Sequence, residues 1–223
     1  MNSKRRALAS LLMILAVLLT SSVASPLRAA DADSRVRPLF DGKTFTGWEG
    51  DTKSTWRIED GAIVAGSLTT VVPRNEFLCT NERFDDFVLT VEFRLEGDPA
   101  KANAGIQFRS ERIPNHHEVI GYQADIGQQY WGALYDESRR KKVLAAPEAS
   151  RLKEIVKFND WNTYTIRCQG PRIRLALNGI PTVDYTELDP NISQTGRIGL
   201  QVHGGGKTLV RYKNIQIEVL SKK

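Results

Sequence analysis

The sequence predicts an all-β protein built as a two-sheet antiparallel sandwich. Short segments alternating apolar and polar residues with period two follow one another between residues 56 and 219. Gly, Asn and Asp turns separate them at regular intervals, and only residues 148–157 carry a helical pattern. Strand-length runs at such spacing, with no helices between them, describe stacked antiparallel sheets rather than βαβ units.

Taken in order, the chain opens on what reads as an export signal. Lys4, Arg5 and Arg6 form a basic start, and the apolar run 7–19 falls short of the roughly 20 residues a membrane-spanning helix needs. Small residues then lead to Ala24, so 1–24 is assigned as signal peptide and 25–37 as polar linker. A single domain over 38–221 and a periplasmic or extracellular location are expected. Short strands are predicted at 56–58 and 62–64 around the Glu59-Asp60-Gly61 turn, then at 68–72, 77–80 and 87–95. Further strands follow at 105–109, 121–126, 161–168, 172–177, 182–185, 197–201 and 210–219. Asn178-Gly179 between alternating apolar residues is a hairpin signal, because both positions tolerate positive φ. Segments 110–120 and 136–158 are longer than a turn requires, which makes them candidates to wall a site.

Charge excludes some functions. The formal net charge of +5 falls to about +1 once residues 1–30 are set aside, leaving 27 basic against 26 acidic residues. No polybasic run interleaved with aromatics remains, so neither nucleic acid nor a membrane surface is expected as a partner after signal cleavage. Gly204-Gly205-Gly206-Lys207-Thr208 looks like a phosphate loop but lacks the Gly five positions earlier, where Gln201 stands. Cys79 and Cys168 are better read as two buried thiols than as a disulfide. With two Cys and three His there is no zinc-ligand spacing.

Four segments, 88–95, 105–109, 121–126 and 199–203, hold the candidate chemistry. Their polar positions are Glu92, Arg94, Gln107, Arg109, Gln123, Asp125, Gln201 and His203. If the four are neighbours in one sheet, these side chains share a face. A cross-strand ion-pair lattice is the plain account of the charges, but exposed pairs contribute only about 0–1 kcal/mol, which explains such a concentration poorly. Glu92, Arg109, Asp125 and His203 are therefore candidates for catalysis, and Gln107, Gln123 and Gln201 for holding hydroxyls. Tyr130 and Trp131 border the second long segment and could stack on a sugar ring, Tyr135 just before it is a further candidate for substrate contact, and Arg139 within it could reach over the sheet edge.

Several motifs carry a resemblance. They are Leu39-Phe40-Asp41-Gly42-Lys43, Asn103-Ala104-Gly105-Ile106-Gln107-Phe108-Arg109, Gly121-Tyr122-Gln123, Trp161-Asn162-Thr163-Tyr164, Leu177-Asn178-Gly179, Gly199-Leu200-Gln201-Val202-His203-Gly204 and Tyr212-Lys213-Asn214-Ile215. From about Leu39 to Leu220 the chain resembles the 3-keto-disaccharide hydrolase family. That resemblance implies a concanavalin A-like jelly roll and carbohydrate chemistry outside the cytoplasm. The chain departs from the family's Gly-Tyr-Glu-x-Gln-Ile form by carrying Gln123 and Asp125, which exchanges the strand position that bears the acid.

The expected reaction is cleavage of a glycosidic bond in a sugar already oxidised at C3, by removal of the acidified C2 proton, departure of the C1 substituent and hydration. Asp125, Glu92 and His203 could share the acid and base roles, with Arg109 facing the enolate. Asp125 and His203 both remain candidates for the base. No cofactor is required, although a divalent ion among Asp125, Glu92 and His203 is chemically reasonable. A non-catalytic carbohydrate-binding module and a conventional two-carboxylate glycosidase on the same sandwich are the competing readings.

Overall fold

The computed structural model describes residues 36–221; the signal and most of the linker assigned above lie outside the described residues. The regular structure of the described chain is nearly all strand: β1 (Arg37–Pro38), β2 (Trp48–Glu49), β3 (Trp56–Glu59), β4 (Ala62–Gly66), β5 (Glu76–Phe84), β6 (Phe87–Gly97), β7 (Asn103–Arg112) and β8 (Val119–Gly127) come first. Then follow β9 (Leu134–Glu137), β10 (Lys142–Ala145), the helix α1 (Ala149–Ile155), β11 (Trp161–Gln169), β12 (Arg172–Leu177), β13 (Ile180–Thr186), β14 (Gly196–Val202) and β15 (Thr208–Val219).

These strands form two antiparallel sheets. One runs β13-β12-β11-β6-β15-β4-β3 with β1 beside β15, and the other runs β10-β9-β8-β7-β14-β5-β2. Odd-numbered residues of β6 (Phe87, Leu89, Val91, Phe93, Leu95) face even-numbered residues of β7 (Ala104, Ile106, Phe108) across one continuous apolar core. Two phenols cross that core. Tyr164 of β11 donates to the Asp125 carbonyl at 2.9 Å, and Tyr212 of β15 donates to the carbonyls of Gln201 at 2.7 Å and Gly105 at 3.1 Å. The sandwich class is thus the one the alternation predicted.

Several elements differ from expectation. The segment 68–72 is a loop, because the Ser67 hydroxyl accepts from the amides of Thr69 and Thr70 and so satisfies them locally. Residues 136–158 contain β10 and α1, so that stretch is mostly regular structure. The hairpin at Asn178-Gly179 forms with φ of 51° and 79°, and the Asn178 side chain also fastens Thr163 and Ile155. Cys79 and Cys168 are free and buried. Among the described residues no helix is long and apolar enough to cross a membrane.

The largest correction concerns β6. Gly97 and the 98–102 turn, closed by Lys101 and Ala102 amides on the Asp98 carbonyl, carry the chain from one sheet to the other. The four polar segments therefore do not share a plane: β7, β8 and β14 do, and β6 lies in the opposite sheet.

Removing either crossing hydroxyl should loosen the sandwich without emptying its core. Tyr212→Phe and Tyr164→Phe are each expected to lower unfolding free energy by about 1 kcal/mol, the worth of a buried hydrogen bond. Urea titration should show lower midpoints with unchanged slope.

Candidate functional site

On β7, β8 and β14 the inner residues are apolar and the outer ones form a polar grid. Across the sheet, Gly199, Gln107, Gln123 and Tyr135 stand in one row, and Gln201, Gly105 and Asp125 in the next. Asn103 and His203 continue the pattern at the open ends of their strands. This face sinks into a cavity of about 180 Å³ lined by Asn75, Asn103, Gln123, Asp125, Tyr130, Tyr135, Glu137 and His203. Such a volume is below the ~300–1,000 Å³ of drug-sized pockets and suits one sugar ring rather than an extended chain.

Two glycines shape the floor. A Cβ at Gly105 would lie 2.4 Å from Cδ of Gln123, and one at Gly199 would lie 3.1 Å from Cβ of Gln107. Without them the amides could not lie flat along the sheet. The result is a chain of hydrogen bonds: the Ser110 hydroxyl donates to Oε1 of Gln107 at 2.8 Å, Nε2 of Gln107 to Oε1 of Gln123 at 2.6 Å, and Nε2 of Gln123 to Oδ1 of Asp125 at 2.5 Å.

Asp125 is 4% exposed, and among the described residues Gln123 is the side chain that hydrogen-bonds its carboxyl group. Burial pushes its pKa up to about 8; the Gln123 bond opposes the shift and the nearby Glu137 charge adds to it. Glu137 is itself raised to about 7, by burial first and then by Glu118. Burial and Glu137 also raise Tyr135, which stays a phenol and a hydrogen-bond donor. Two carboxyl groups that can exchange a proton near neutrality therefore line one cavity.

His203 completes the set. Its Nδ1 lies 2.7 Å from the Gly204 carbonyl, which can only accept, so Nδ1 carries the hydrogen and the neutral ring keeps its lone pair on Nε2. Asn75 fixes this corner by accepting from the Gly204 amide at 3.0 Å. Its own amide donates to Glu118 at 3.1 Å, and its carbonyl meets Nδ1 of His117 at 3.0 Å, which ties the 113–118 turn to the cavity wall. Further along the same face Phe77, Cys79 and Val119 pack together and close it.

The remaining candidates lie elsewhere. Glu92 projects from the outer face of the other sheet, bonded to Asn214 at 2.9 Å and paired with Lys213 at 3.6 Å. Arg94 pairs there with Glu96 at 2.8 Å, so for these two the ion-pair lattice is what exists. Arg109 is turned away by a β-bulge, since residues 109 and 110 together oppose Gly121 and Arg109 takes φ 47°. Its guanidinium instead binds the carbonyls of Asp85 and Gly170 and the carboxylate of Asp86. Arg139 belongs to a half-buried ionic cluster with Asp136, Arg140 and Glu187, and stacks 4.7 Å from the centre of the Tyr122 ring. Trp131 is 7% exposed and packs on Phe93 in the core, so it offers no platform to a sugar. Gln201 lies on the right face but is wholly buried, with both amide atoms unpartnered.

With Glu92 in the other sheet, the trio Asp125, Glu92 and His203 cannot meet around an ion. No cluster of three His, Cys, Asp or Glu side chains among the described residues is placed to hold one. Sequence reasoning missed Glu137, although it follows Tyr135 with period two and is found by extending that alternation one step. Asn103 precedes Gly105 and Gln107 by the same rule. Asn75 comes from a loop and gives no periodic signal. Two surface depressions are larger, about 660 Å³ beside Asp85 and Arg172 and about 930 Å³ beside Glu49 and Arg112. Of their arginines, Arg172 is paired with Asp184, Arg74 with Glu76, and both Arg112 and Arg197 with Glu49.

Comparison with known proteins fits this geometry. Residues 35–218 match the model of the 3-keto-alpha-glucoside-1,2-lyase-like domain. Among solved structures, a candidate glycosyl hydrolase from Parabacteroides distasonis is similar with a TM-score of 0.62 at 18% identity, over 83% of this chain and 94% of that one. The carbohydrate-binding module CBM66 from Bacillus subtilis is similar with a TM-score of 0.60 at 16% identity, over 77% and 95%. A galectin-like protein of unknown function from Bacillus subtilis is similar with a TM-score of 0.60 at 12% identity, over 85% and 96%. These likenesses show the fold. None of the curated proteins matches the sequence.

The raised Asp125 makes a signed prediction. A carboxyl group at about 8 in the fold and near 3.8 when unfolded stabilises the protein fully only below pH 3.8, and that contribution is lost as pH rises to about 8. Asp125→Asn, which mimics the protonated form, should therefore stabilise the protein at pH 7–9 relative to the parent and leave it unchanged near pH 4. Every tenfold difference in proton affinity between the folded and unfolded chain is worth about 1.4 kcal/mol. Thermal unfolding of both proteins across this pH range checks it, and a gain that is largest at pH 4 would refute the buried-acid reading.

Proposed function

This chain belongs to the 3-keto-alpha-glucoside-1,2-lyase-like family, and from that premise we propose that it is a hydrolase cleaving the glycosidic bond of 3-keto-glycosides. The observation that carries the reading is a cavity in which a buried carboxyl group, a second raised carboxyl group and an imidazole with a free Nε2 converge. A C3 ketone acidifies the neighbouring C2–H, so the protein needs a base at C2 and an acid at the glycosidic oxygen.

The groups divide as follows. Nε2 of His203 takes the C2 proton, and the electron pair of the broken C–H bond forms the C2–C3 enolate. Asp125, protonated at neutral pH, gives its proton to the glycosidic oxygen as the enolate electron pair forms the C1–C2 double bond and the C1–O bond breaks, and the aglycone leaves as an alcohol. Water then adds at C1 of the resulting enone; Asp125 takes one of its protons, the other stays on the new C1 hydroxyl, and the His203 imidazolium returns to C2 the proton it had taken. The sum is glycoside plus water giving free keto-sugar plus alcohol. Glu137 lies against the same site and can substitute for Asp125 as proton donor at pH below 7. Neutral donors, Asn103, Asn75 and the phenols of Tyr130 and Tyr135, supply the hydrogen bonds to the enolate that Arg109 was expected to give. The basic start and apolar run at residues 4–19 support placing this reaction in the periplasm or outside the cell.

The decisive experiment incubates the mature protein with 3-keto-glucosides and with the corresponding unoxidised glucosides, with and without chelator. Aglycone release from the keto substrates alone is expected, with chelator having no effect. Release from unoxidised glucosides would favour a two-carboxylate glycosidase, and tight binding without turnover of either would favour a carbohydrate-binding module. His203→Ala should lower kcat by about 10²–10⁴, the usual worth of a general base, while the circular dichroism spectrum stays that of the parent.

A further inference from the structure

We infer that Ser110, Gln107 and Gln123 are positioning residues whose hydrogen-bond chain reserves Oδ1 of Asp125 as a permanent acceptor, so that Oδ2 is the oxygen that exchanges a proton with the ligand. This rests on the catalytic role proposed above for Asp125.

The chain runs in one direction in this structure. The Ser110 hydroxyl lies 2.8 Å from Oε1 of Gln107, with the carbonyls of Phe108 at 3.0 Å and Tyr122 at 3.4 Å as further acceptors; Nε2 of Gln107 donates to Oε1 of Gln123, and Nε2 of Gln123 donates to Oδ1 of Asp125. Each amide thereby fixes the orientation of the next. All three side chains are buried, Gln107 fully, which shields the Ser110–Gln107–Gln123 bonds from bulk solvent. An oxygen already receiving an N–H cannot carry a proton on that side, and the carboxyl hydrogen is left to Oδ2.

The protein has shaped backbone and sequence around this chain. The β-bulge that turns Arg109 away inserts the extra residue that brings the Ser110 hydroxyl beneath Gln107, where it rests on Gly121; a Cβ there would lie 2.2 Å from Oγ of Ser110. Gly105 leaves the space in which the Gln123 amide lies. A chain serving stability alone would not need to end on a carboxyl group of the cavity.

Other groups also face Asp125 and set the background to its titration. They are Glu137 and Tyr135 of β9, Tyr130 of the preceding turn, Asn103 of β7, His203 after β14, and Tyr164 beneath it from the opposite sheet. None of these is altered by breaking the chain two bonds away at Gln107. Loosening the chain removes a fixed donor from the carboxylate, and the sign follows: Asp125 should hold its proton to higher pH.

The test uses Gln107→Met, which keeps the volume and cuts the chain, and Gly105→Ala, which removes no polar group but displaces the Gln123 amide. The carboxyl carbon of Asp125 is followed by ¹³C NMR against pH, beside kcat and KM on a 3-keto-glucoside. Both variants are expected to raise the Asp125 midpoint by about half a pH unit or more. The matching limb of the kcat profile should move with it, kcat at pH 7 should fall up to about tenfold, the effect of about one hydrogen bond, and KM should stay within about twofold. An unchanged midpoint in a folded Gln107→Met protein overturns the inference. Should that variant not fold, Gly105→Ala decides by the same criterion. A raised midpoint in a protein inactive on every keto-glycoside supports the chain and counts only against the catalytic reading.

Discussion

The site depends on two hydroxyl groups that lie behind it. Tyr164 and Tyr212 reach from one sheet through the apolar core and donate to the carbonyls of Asp125, Gly105 and Gln201 in the other. Those three residues form one row of the outer face. A strand whose carbonyls are held from beneath cannot slide or twist independently, so the side chains above it keep their spacing. The arrangement is costly in isolation, since a buried phenol needs a partner, and it is satisfied because the carbonyls lie within reach across a sandwich core about 10 Å thick. Core and cavity are therefore two sides of the same backbone.

A second constraint is parity. On β7 the residues before the bulge alternate strictly, which gives Asn103, Gly105 and Gln107 to the cavity face and Ala104, Ile106 and Phe108 to the core. One extra residue then shifts the alternation. Arg109 swings out to clamp the carbonyls of Asp85 and Gly170, and Ser110 takes the position beside Gln107. Had the strand run on unbroken, Arg109 would stand on the cavity face in the row beyond Gln107, and Ser110 would turn to the core. The bulge gives Gln107 a neutral hydroxyl for a neighbour instead of a guanidinium.

How much of this was legible in the sequence follows from what period two can and cannot encode. Alternation identifies which residues of a strand share a face, so Gln107, Gln123, Asp125, Gln201 and His203 were placed together correctly. It carries no information about which sheet a strand joins. β6 alternates as cleanly as β7, and the short 98–102 turn between them reads the same whether it closes a hairpin or arches between sheets; Glu92 was lost to that ambiguity. The bulge at Arg109 was equally silent, because an inserted residue changes register without changing composition. Trp131 and Arg139 were misplaced because a border position in sequence does not say whether a side chain turns to the core, where Phe93 and Tyr122 receive them. Leu68 was taken for a strand residue because the capture of the following amides by Ser67 leaves no trace in hydropathy.

The departure from the family's usual strand pattern acquires a physical meaning here. Residues 123 and 125 lie on the same face of β8, so exchanging an acid at the first and an amide at the second leaves an acid–amide pair intact and moves the acid by about 7 Å along the strand. In this chain the amide occupies the position flanked by Gln107 and Tyr135, where it can be held on both sides, and the acid occupies the row of Gly105 and Gln201 near the end that holds His203. Gln123 thus becomes the orienting group and Asp125 the titrating one. A relative with the opposite order would place its titrating group against β9 and the side chain of Tyr135. In this chain the acid is therefore fixed by its place on β8, next to an amide bonded to it at 2.5 Å.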